Sequence, residues 1–183
     1  DKLVLAVGGE PFSPDIPGNQ LKGVHFLTTI EDARNIRYSM PDLKGKNAVI
    51  IGGGLIGVEV TEAFIKQGVN VTLIEREKTV LPALLDEEMA FHVHNEMKKN
   101  NVKLALGETL IKINGDDQGN VTSILTSNGE MPADLVLIAI GTRPNTTLAK
   151  EANLEIGKTG AIAVDEYMRT SDPDIYSGGD CVE

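Results

Sequence analysis

Cysteine is nearly absent from this chain, and tryptophan is absent altogether. The single cysteine, Cys181, excludes an internal disulfide and any C-x-x-C redox pair within the 183 residues. A small packed thiol is the more ordinary role for such a residue. Histidine is also scarce, and His92 and His94 lie two positions apart on a predicted helix, where they do not face one another. We therefore predict no metal site.

Basic residues are outnumbered, with 17 Lys and Arg against 27 Asp and Glu, for a net charge of −10. Proteins that bind nucleic acid or anionic membranes need basic patches, so we expect neither partner. No apolar run approaches the roughly 20 residues that span a bilayer. The start of the sequence also has no basic-then-apolar leader. We therefore expect a cytoplasmic protein.

A glycine-rich turn follows an apolar run over residues 48–51, which predicts a buried parallel strand. Gly52, Gly54 and Gly57 have G-x-G-x-x-G spacing, and a helix is predicted directly after them. Gly52 permits the tight turn, Gly54 lets the backbone approach a pyrophosphate, and Gly57 lets helix and strand pack closely. The helix N-terminus offers unpaired N–H groups and a partial positive charge to phosphates. The predicted dinucleotide site comprises the whole turn: Gly52, Gly53, Gly54, Leu55, Ile56 and Gly57.

The identity of the dinucleotide depends on the next apolar strand, residues 71–74, which ends on Glu75. A carboxylate at this position accepts hydrogen bonds from the ribose 2′-hydroxyl and repels a 2′-phosphate. Two like charges about 4 Å apart repel by roughly 4 kcal/mol at an effective dielectric constant near 20. The following Arg76 could instead turn toward a phosphate. The carboxylate favours NAD(H) over NADP(H), and both residues belong to the predicted site.

The remaining pattern predicts an α/β protein. The capping-box pattern Thr28-Thr29-Ile30-Glu31 predicts a helix from about Thr29 to about Tyr38, and an apolar stripe predicts another over residues 86–99. Alternating strands flank a turn at residues 114–120, and a third strand near Met131 would complete an antiparallel meander. We predict a Rossmann-like parallel sheet with helices on both faces, plus this three-stranded meander.

Four sequence segments, in their order along the chain, indicate a family resemblance. An AVGG turn follows the first strand, IIGGGLIGVE forms the glycine turn, LVLIAIGTRPNT ends a central strand, and RTSDPDIYSGGDC closes the chain. In this combination the sequence resembles the FAD-dependent pyridine nucleotide-disulfide oxidoreductases over essentially its whole length. Within them it is most similar to the branch of NADH oxidase, NADH peroxidase and coenzyme A-disulfide reductase.

The resemblance implies a domain organisation. In that family an NAD(P)H domain is inserted into an FAD domain, and a dimerisation domain follows. Residues 1–40 would then be a remnant of the FAD domain with its connecting segment, residues 41–145 the NAD(H)-binding domain, and residues 146–183 the return segment of the FAD domain. The chain starts within a strand pattern and ends just after another, so we expect it to be a piece of a longer, homodimeric protein.

The resemblance also implies roles for single residues. Glu59 would lie near the nicotinamide, although a partner for the helix dipole is the alternative. Gly141 would border the cofactor at the end of the last sheet strand. Asp180 would contact the ribityl chain of FAD. Leu55 replaces a tyrosine that covers the flavin in several relatives.

The expected activity is that of an FAD-dependent NAD(P)H oxidoreductase. The full-length protein would pass hydride from NADH to FAD, and electrons on to oxygen, a peroxide, a disulfide or a redox protein. No catalytic residue is predicted within this chain, which would be inactive alone. The alternative is a stand-alone, non-catalytic NAD(H)-binding or sensing module. An ordinary NAD-dependent dehydrogenase fits less well, because no second domain supplies a substrate-polarising residue.

Overall fold

The computed structural model describes residues 1–183, except for the side chain of Pro41. The strands, in chain order, are β1 Leu3–Leu5, β2 Gly9–Pro11, β3 Val24–His25, β4 Asn47–Ile51, β5 Asn70–Glu75, β6 Lys103–Leu106, β7 Leu110–Gly115, β8 Val121–Thr126, β9 Gly129–Pro132, β10 Leu135–Ile138, β11 Thr142–Pro144 and β12 Ile175–Ser177. The helices are α1 Ile30–Ser39, α2 Leu55–Lys66, α3 Glu87–Lys99 and α4 Thr147–Glu151, with a 3₁₀ turn at Met40–Leu43.

A five-stranded parallel sheet in the order β3-β10-β4-β5-β6 is the framework of the glycine turn. Its central strands β4 and β10 are buried along nearly their whole length, as continuous apolar runs in parallel sheets predict. Ile50 and Leu73 are fully buried on one face of the sheet. Burial of each such side chain stabilises the fold by about 1.5–3 kcal/mol. The ends of β4 and β5, which carry the glycine turn and Glu75, are therefore rigidly held.

The two faces of this sheet are covered differently. Apolar residues of α1, α2 and α3 share one core with the sheet, among them Ile36, Phe64 and Met97. The opposite core holds Ile113 and Ile124 of the antiparallel meander β7-β8-β9. The predicted α/β class, parallel sheet and meander are confirmed. The prediction of helices on both faces is wrong, because the alternating apolar residues of β7 and β8 supply the covering surface of the second face.

The contacts divide the chain into two compact units. The larger unit is Ser13–Ile140, and the smaller unit joins Asp1–Phe12 to Gly141–Glu183. These boundaries differ from those drawn at residues 40/41 and 145/146 on the sequence. The connecting segment belongs to the larger unit because β3 pairs with β10 and Ile36 of α1 enters its core. Which cofactor each unit serves stays a prediction.

The smaller unit has its own core and pairings. β1 pairs in parallel with β12, and β2 pairs antiparallel with β11. Leu5, Ile162 and Cys181 are buried together in its core. A single antiparallel bridge joins Ile156 and Ile162.

The start of α1 is held by a capping box that lies one residue later than the predicted Thr28–Glu31 pattern. The Thr29 hydroxyl accepts from the Asp32 N–H at 3.1 Å, and the Asp32 carboxylate accepts from the Thr29 N–H at 2.8 Å. Thr29→Ala should lower the free energy of unfolding by about 1 kcal/mol, because one helix N–H loses its acceptor. Chemical denaturation measures this change. Asn35→Ala, at an exposed position in the same helix, should be neutral or slightly stabilising, and an equal loss there would refute the capping argument.

Candidate functional site

The turn between β4 and α2 needs glycine at its first position. Gly52 has a φ of +106°, and a Cβ there would overlap the carbonyl oxygen of Ala139. Its N–H donates to the Ile74 carbonyl at 2.8 Å, which ties the end of β4 to the end of β5. The chain therefore leaves the sheet in a conformation that L side chains rarely adopt.

Gly57 lies in the first turn of α2 and packs directly on this backbone. It is buried, and a Cβ on it would overlap the carbonyl oxygen of Gly52. The hydroxyl of Thr61, itself buried, donates to the Gly57 carbonyl at 2.8 Å. Close packing of helix and strand, the role predicted for this glycine, is what the geometry shows.

Gly54 differs from its two partners, because it faces open space. It is the N-cap residue of α2 with a φ of −76°, and no heavy atom lies within 4 Å of an ideal Cβ. No side chain caps the first turn of this helix. The initial N–H groups of α2 therefore point into open space with a partial positive charge behind them, which suits a phosphate.

Glu75 closes the turn from the second strand. Its Oε2 accepts from the Gly53 N–H at 2.7 Å, and its Oε1 accepts from the Glu77 N–H at 2.8 Å. The residue is half-buried. A carboxylate has about four lone-pair sites, so each oxygen can still accept one hydrogen bond. Two neighbouring ribose hydroxyls could donate hydrogen bonds to these two remaining acceptor sites.

Arg76 points away from this arrangement. Its side chain is 78% exposed, and its guanidinium lies 3.3 Å from the carboxylate of Glu77. Exposed ion pairs of this kind contribute about 0–1 kcal/mol. Little energy therefore opposes a reorientation of Arg76.

Two residues that the sequence did not single out support the turn from the segment between β5 and α3. The Leu81 N–H donates to the Gly53 carbonyl at 2.7 Å. The neighbouring Val80 N–H donates to His94 Nε2 at 3.1 Å. The only sequence signal is His94 itself, and nothing in the sequence indicates that it accepts a backbone N–H. Among the residues whose side chains are described, no group of three or more His, Cys, Asp or Glu could hold a metal ion.

The pyridine nucleotide-disulphide oxidoreductase family matches the chain over residues 1–183. The chain belongs to this family. An NAD(P)H coenzyme A polysulfide/persulfide reductase from Pyrococcus horikoshii is 44% identical over the whole chain, which covers 40% of that relative. The chain thus spans about two fifths of the length of this curated relative.

Solved structures of family members have the same fold. An NAD-dependent persulfide reductase from A. fulgidus superposes with a TM-score of 0.94 at 44% identity, covering all of this chain and 33% of that one. A water-forming NADH oxidase from Lactobacillus brevis, bound to NADH, has a TM-score of 0.91 at 34% identity, with coverages of 100% and 39%. An engineered NADPH oxidase derived from it, bound to NADPH, has a TM-score of 0.92 at 33% identity, with the same coverages.

The other predicted site residues of this family member fall into two groups. Leu55, Ile56 and Glu59 lie on the exposed side of the first turns of α2, with Leu55 57% and Ile56 45% exposed. Gly141 and Asp180 are exposed residues of the smaller unit. Their predicted roles at the cofactors stay predictions.

Cys181 of the smaller unit is a packed thiol. It is fully buried, and its Sγ lies 3.5 Å from the Ser177 hydroxyl and 3.3 Å from the Gly178 carbonyl. Burial raises the pKa of the thiol, but hydrogen bonds from Ser177 and from backbone N–H groups outweigh it, so the pKa is lowered overall.

No helix that the structure describes is long and apolar enough to cross a membrane.

Substitution by alanine should affect stability differently at the buried Gly57 and at the open Gly54. Gly57→Ala should lower the free energy of unfolding by about 1–3 kcal/mol, because its Cβ collides with backbone that cannot move aside. Gly54→Ala should change it by no more than about 0.5 kcal/mol, since an alanine fits both the backbone angles and the space. Urea denaturation of both variants measures the difference. Equal stability of the two variants would contradict the packing role of Gly57.

Proposed function

We propose that this chain is the NADH-binding portion of a flavin-dependent oxidoreductase, which passes hydride from NADH to FAD and electrons on to a second acceptor. The observation that carries the proposal is the pairing of an open, uncapped helix N-terminus at Gly54 with the Glu75 carboxylate that is bonded to the adjacent Gly53 N–H. One element suits the pyrophosphate and the other suits the adenosine ribose. Both lie at the carboxyl ends of adjacent parallel strands, where α/β proteins bind ligands.

The residues present fit a nicotinamide dinucleotide. A Cβ at Gly54 would take up the space that a phosphate needs, and that space is open. The carboxylate of Glu75 keeps acceptor sites beside it, and the exposed apolar side chains of Leu55 and Ile56 offer a surface to a planar ring. In this proposal the chain binds and orients the nicotinamide, and it excludes water from one side of it.

For the flavin, the fit rests on fewer residues. Asp180 is exposed in a turn in which Gly179 has a φ of +86°, and a carboxylate there can accept from a polyol hydroxyl. FAD, when bound, supplies the two-electron chemistry between nicotinamide and acceptor. We propose that the larger unit serves NADH and that the smaller unit belongs to the FAD side of the protein. Reductases and oxidases among the relatives favour this enzymatic role over a stand-alone sensing module.

Preference for NADH over NADPH is the finer part of the proposal. The engineered NADPH oxidase has five substitutions: at a glycine, at an aspartate eighteen positions later, at the two residues after the aspartate, and at a proline seven positions beyond it. The aspartate becomes alanine and the next residue becomes arginine. Gly57, Glu75 and Pro82 have the same spacing here. This chain keeps an acid at the aspartate position but already has Arg76 at the position after it. We infer that Glu75 excludes the 2′-phosphate and that Arg76 is poised to bind it only once the acid is lost.

Neutralising Glu75 should reverse this preference. Glu75→Gln keeps an acceptor for the Gly53 N–H and removes the charge, so the ratio of NADPH to NADH affinity should rise at least about tenfold. Glu75→Ala should raise the same ratio and weaken NADH further, because the ribose hydroxyls and the backbone N–H groups both lose an acceptor. Isothermal titration calorimetry of each nucleotide with the full chain measures this ratio. Glu62→Ala is the control, since it removes an exposed acid of α2 that lies outside the glycine turn and is paired with Lys66. Equal affinities of the unaltered chain for NADH and NADPH would refute the role of Glu75.

Filling the space at Gly54 should separate binding from folding. Gly54→Ala should weaken NADH binding at least about tenfold, because a Cβ stands where the pyrophosphate meets the helix N-terminus. The melting temperature of the nucleotide-free chain should stay unchanged. Gly178→Ala is the control, because this glycine also has room for a Cβ and does not have a left-handed φ, and it should leave NADH affinity as it is. If Gly54→Ala bound NADH as tightly as the unaltered chain, the dinucleotide would lie elsewhere.

A further inference from the structure

The peptide groups of the glycine turn are fixed from two sides. Gly53 donates its N–H to Glu75 at 2.7 Å and accepts from the Leu81 N–H at 2.7 Å. A peptide group is planar, so the carbonyl of Gly53 and the N–H of Gly54 point in opposite directions from one rigid plate. A contact that fixes the direction of the Gly53 carbonyl therefore also fixes the direction of the Gly54 N–H, and Gly54 is the N-cap residue of α2.

Leu81 makes this contact from an unfavourable backbone conformation. Its φ is +53°, in the left-handed region that costs a bulky L residue roughly 1–2 kcal/mol. Such a residue keeps that conformation only where its surroundings over-determine it. Here the carbonyl of Leu81 accepts from the N–H groups of Leu84 and Leu85, and the preceding Val80 is fully buried.

The remaining anchor is His94 of α3. The Val80 N–H donates to its Nε2 at 3.1 Å, so this nitrogen carries no proton. We propose that His94 is a positioning residue for the dinucleotide turn: by accepting the Val80 N–H it holds Val80 and Leu81 so that the Leu81 N–H fixes the Gly53 peptide and with it the Gly54 N–H. This inference rests on the proposed binding of NADH at the turn. Through His94, α3 would take part in nucleotide binding, although α3 carries none of the predicted site residues.

The same contact makes the turn sensitive to acid. Burial, followed by the positive charge of Lys98, lowers the pKa of His94 from its ordinary value of 6.5. The neutral acceptor form is therefore favoured in the folded chain at neutral pH, and protonation turns Nε2 into a donor that cannot accept the Val80 N–H. Since the folded pKa lies below the unfolded one, the support is complete above about pH 6.5 and is lost as pH falls through the folded pKa. The other charged or titratable groups on α3 and on the segment before it are Arg76, Glu77, Lys78, Asp86, Glu87, Glu88, His92, Glu96 and Lys99.

Three variants of the full chain test the proposal. His94→Ala removes the acceptor, His94→Gln restores one that does not titrate, and His92→Ala is the control, because His92 is an exposed histidine two positions away on the same helix. Hydrogen exchange of the nucleotide-free chains is followed at the amides of Val80 and Leu81, with Leu73 in the core as the reference for global unfolding. NADH is titrated at pH 7.5 and pH 5.5.

In His94→Ala we expect faster exchange at Leu81 as well as at Val80, although Leu81 has no bond to the histidine. We expect NADH binding about three- to tenfold weaker at pH 7.5 than in the unaltered chain, the effect of one lost hydrogen bond. His94→Gln should bind like the unaltered chain at pH 7.5 and lose less affinity at pH 5.5. His92→Ala should match the unaltered chain at both pH values.

The outcomes distinguish this proposal from the proposed function. If Leu81 keeps its protection in His94→Ala, or if NADH binding is unchanged while that protection is lost, His94 does not position the turn. If His94→Gln fails to restore affinity and Leu81 protection, the histidine acts by packing and the proposal is overturned. If no chain binds NADH, the proposed function fails. Faster Leu81 exchange in His94→Ala, with protection restored in His94→Gln, would still show that His94 holds Val80 and Leu81 in place.

Discussion

The hydrogen bond from the Gly53 N–H to the Glu75 carboxylate is the contact on which the binding turn depends. It joins the end of β4 to the end of β5 at the point where the chain enters α2, and the second oxygen of the same carboxylate holds the Glu77 N–H. The acid proposed to select NADH is thus also a structural part of the turn. Selectivity and architecture are coupled in this proposal, because a residue that admits a 2′-phosphate must also give up or replace the acceptors of two backbone N–H groups. In the proposed function, a basic residue at position 76 does not change the cofactor while Glu75 remains.

Much of the fold was predictable because its signals are local. The continuous apolar runs of β4 and β10, the capping box of α1 and the alternation in β7 and β8 each specify an element without reference to the rest of the chain. The covering of the second sheet face was mispredicted, since an amphipathic strand and an amphipathic helix compete for the same surface. The two-residue strand β3 gave no periodic signal at all. Its pairing with β10, which places this strand in the larger unit, was therefore not predictable either.

The site divides in the same way. Gly52, Gly54, Gly57 and Glu75 are separated by fixed spacings within one strand–helix–strand unit, so the sequence alone indicates them. The support that Leu81 and His94 give is a matter of tertiary contact: a backbone N–H meets a histidine fourteen residues along the chain, and no residue type announces that meeting. A left-handed leucine is equally invisible in sequence, because its conformation is imposed by its neighbours.

The charge of the chain explains why the geometry of these peptide groups matters. A net charge of −10 gives no general attraction for an anionic dinucleotide, and the turn itself contains no lysine or arginine. In the proposed function, attraction for the pyrophosphate therefore comes from aligned backbone N–H groups and the partial positive charge at the start of α2, which act only over about one helical turn. Dipoles of that range are effective only if their direction is fixed before the ligand arrives, since each peptide that must be reoriented costs binding free energy. The bonds from Glu75 and Leu81 to Gly53 fix it from opposite edges of the turn, and so an acidic protein can hold an anionic cofactor without a cationic side chain at the phosphate.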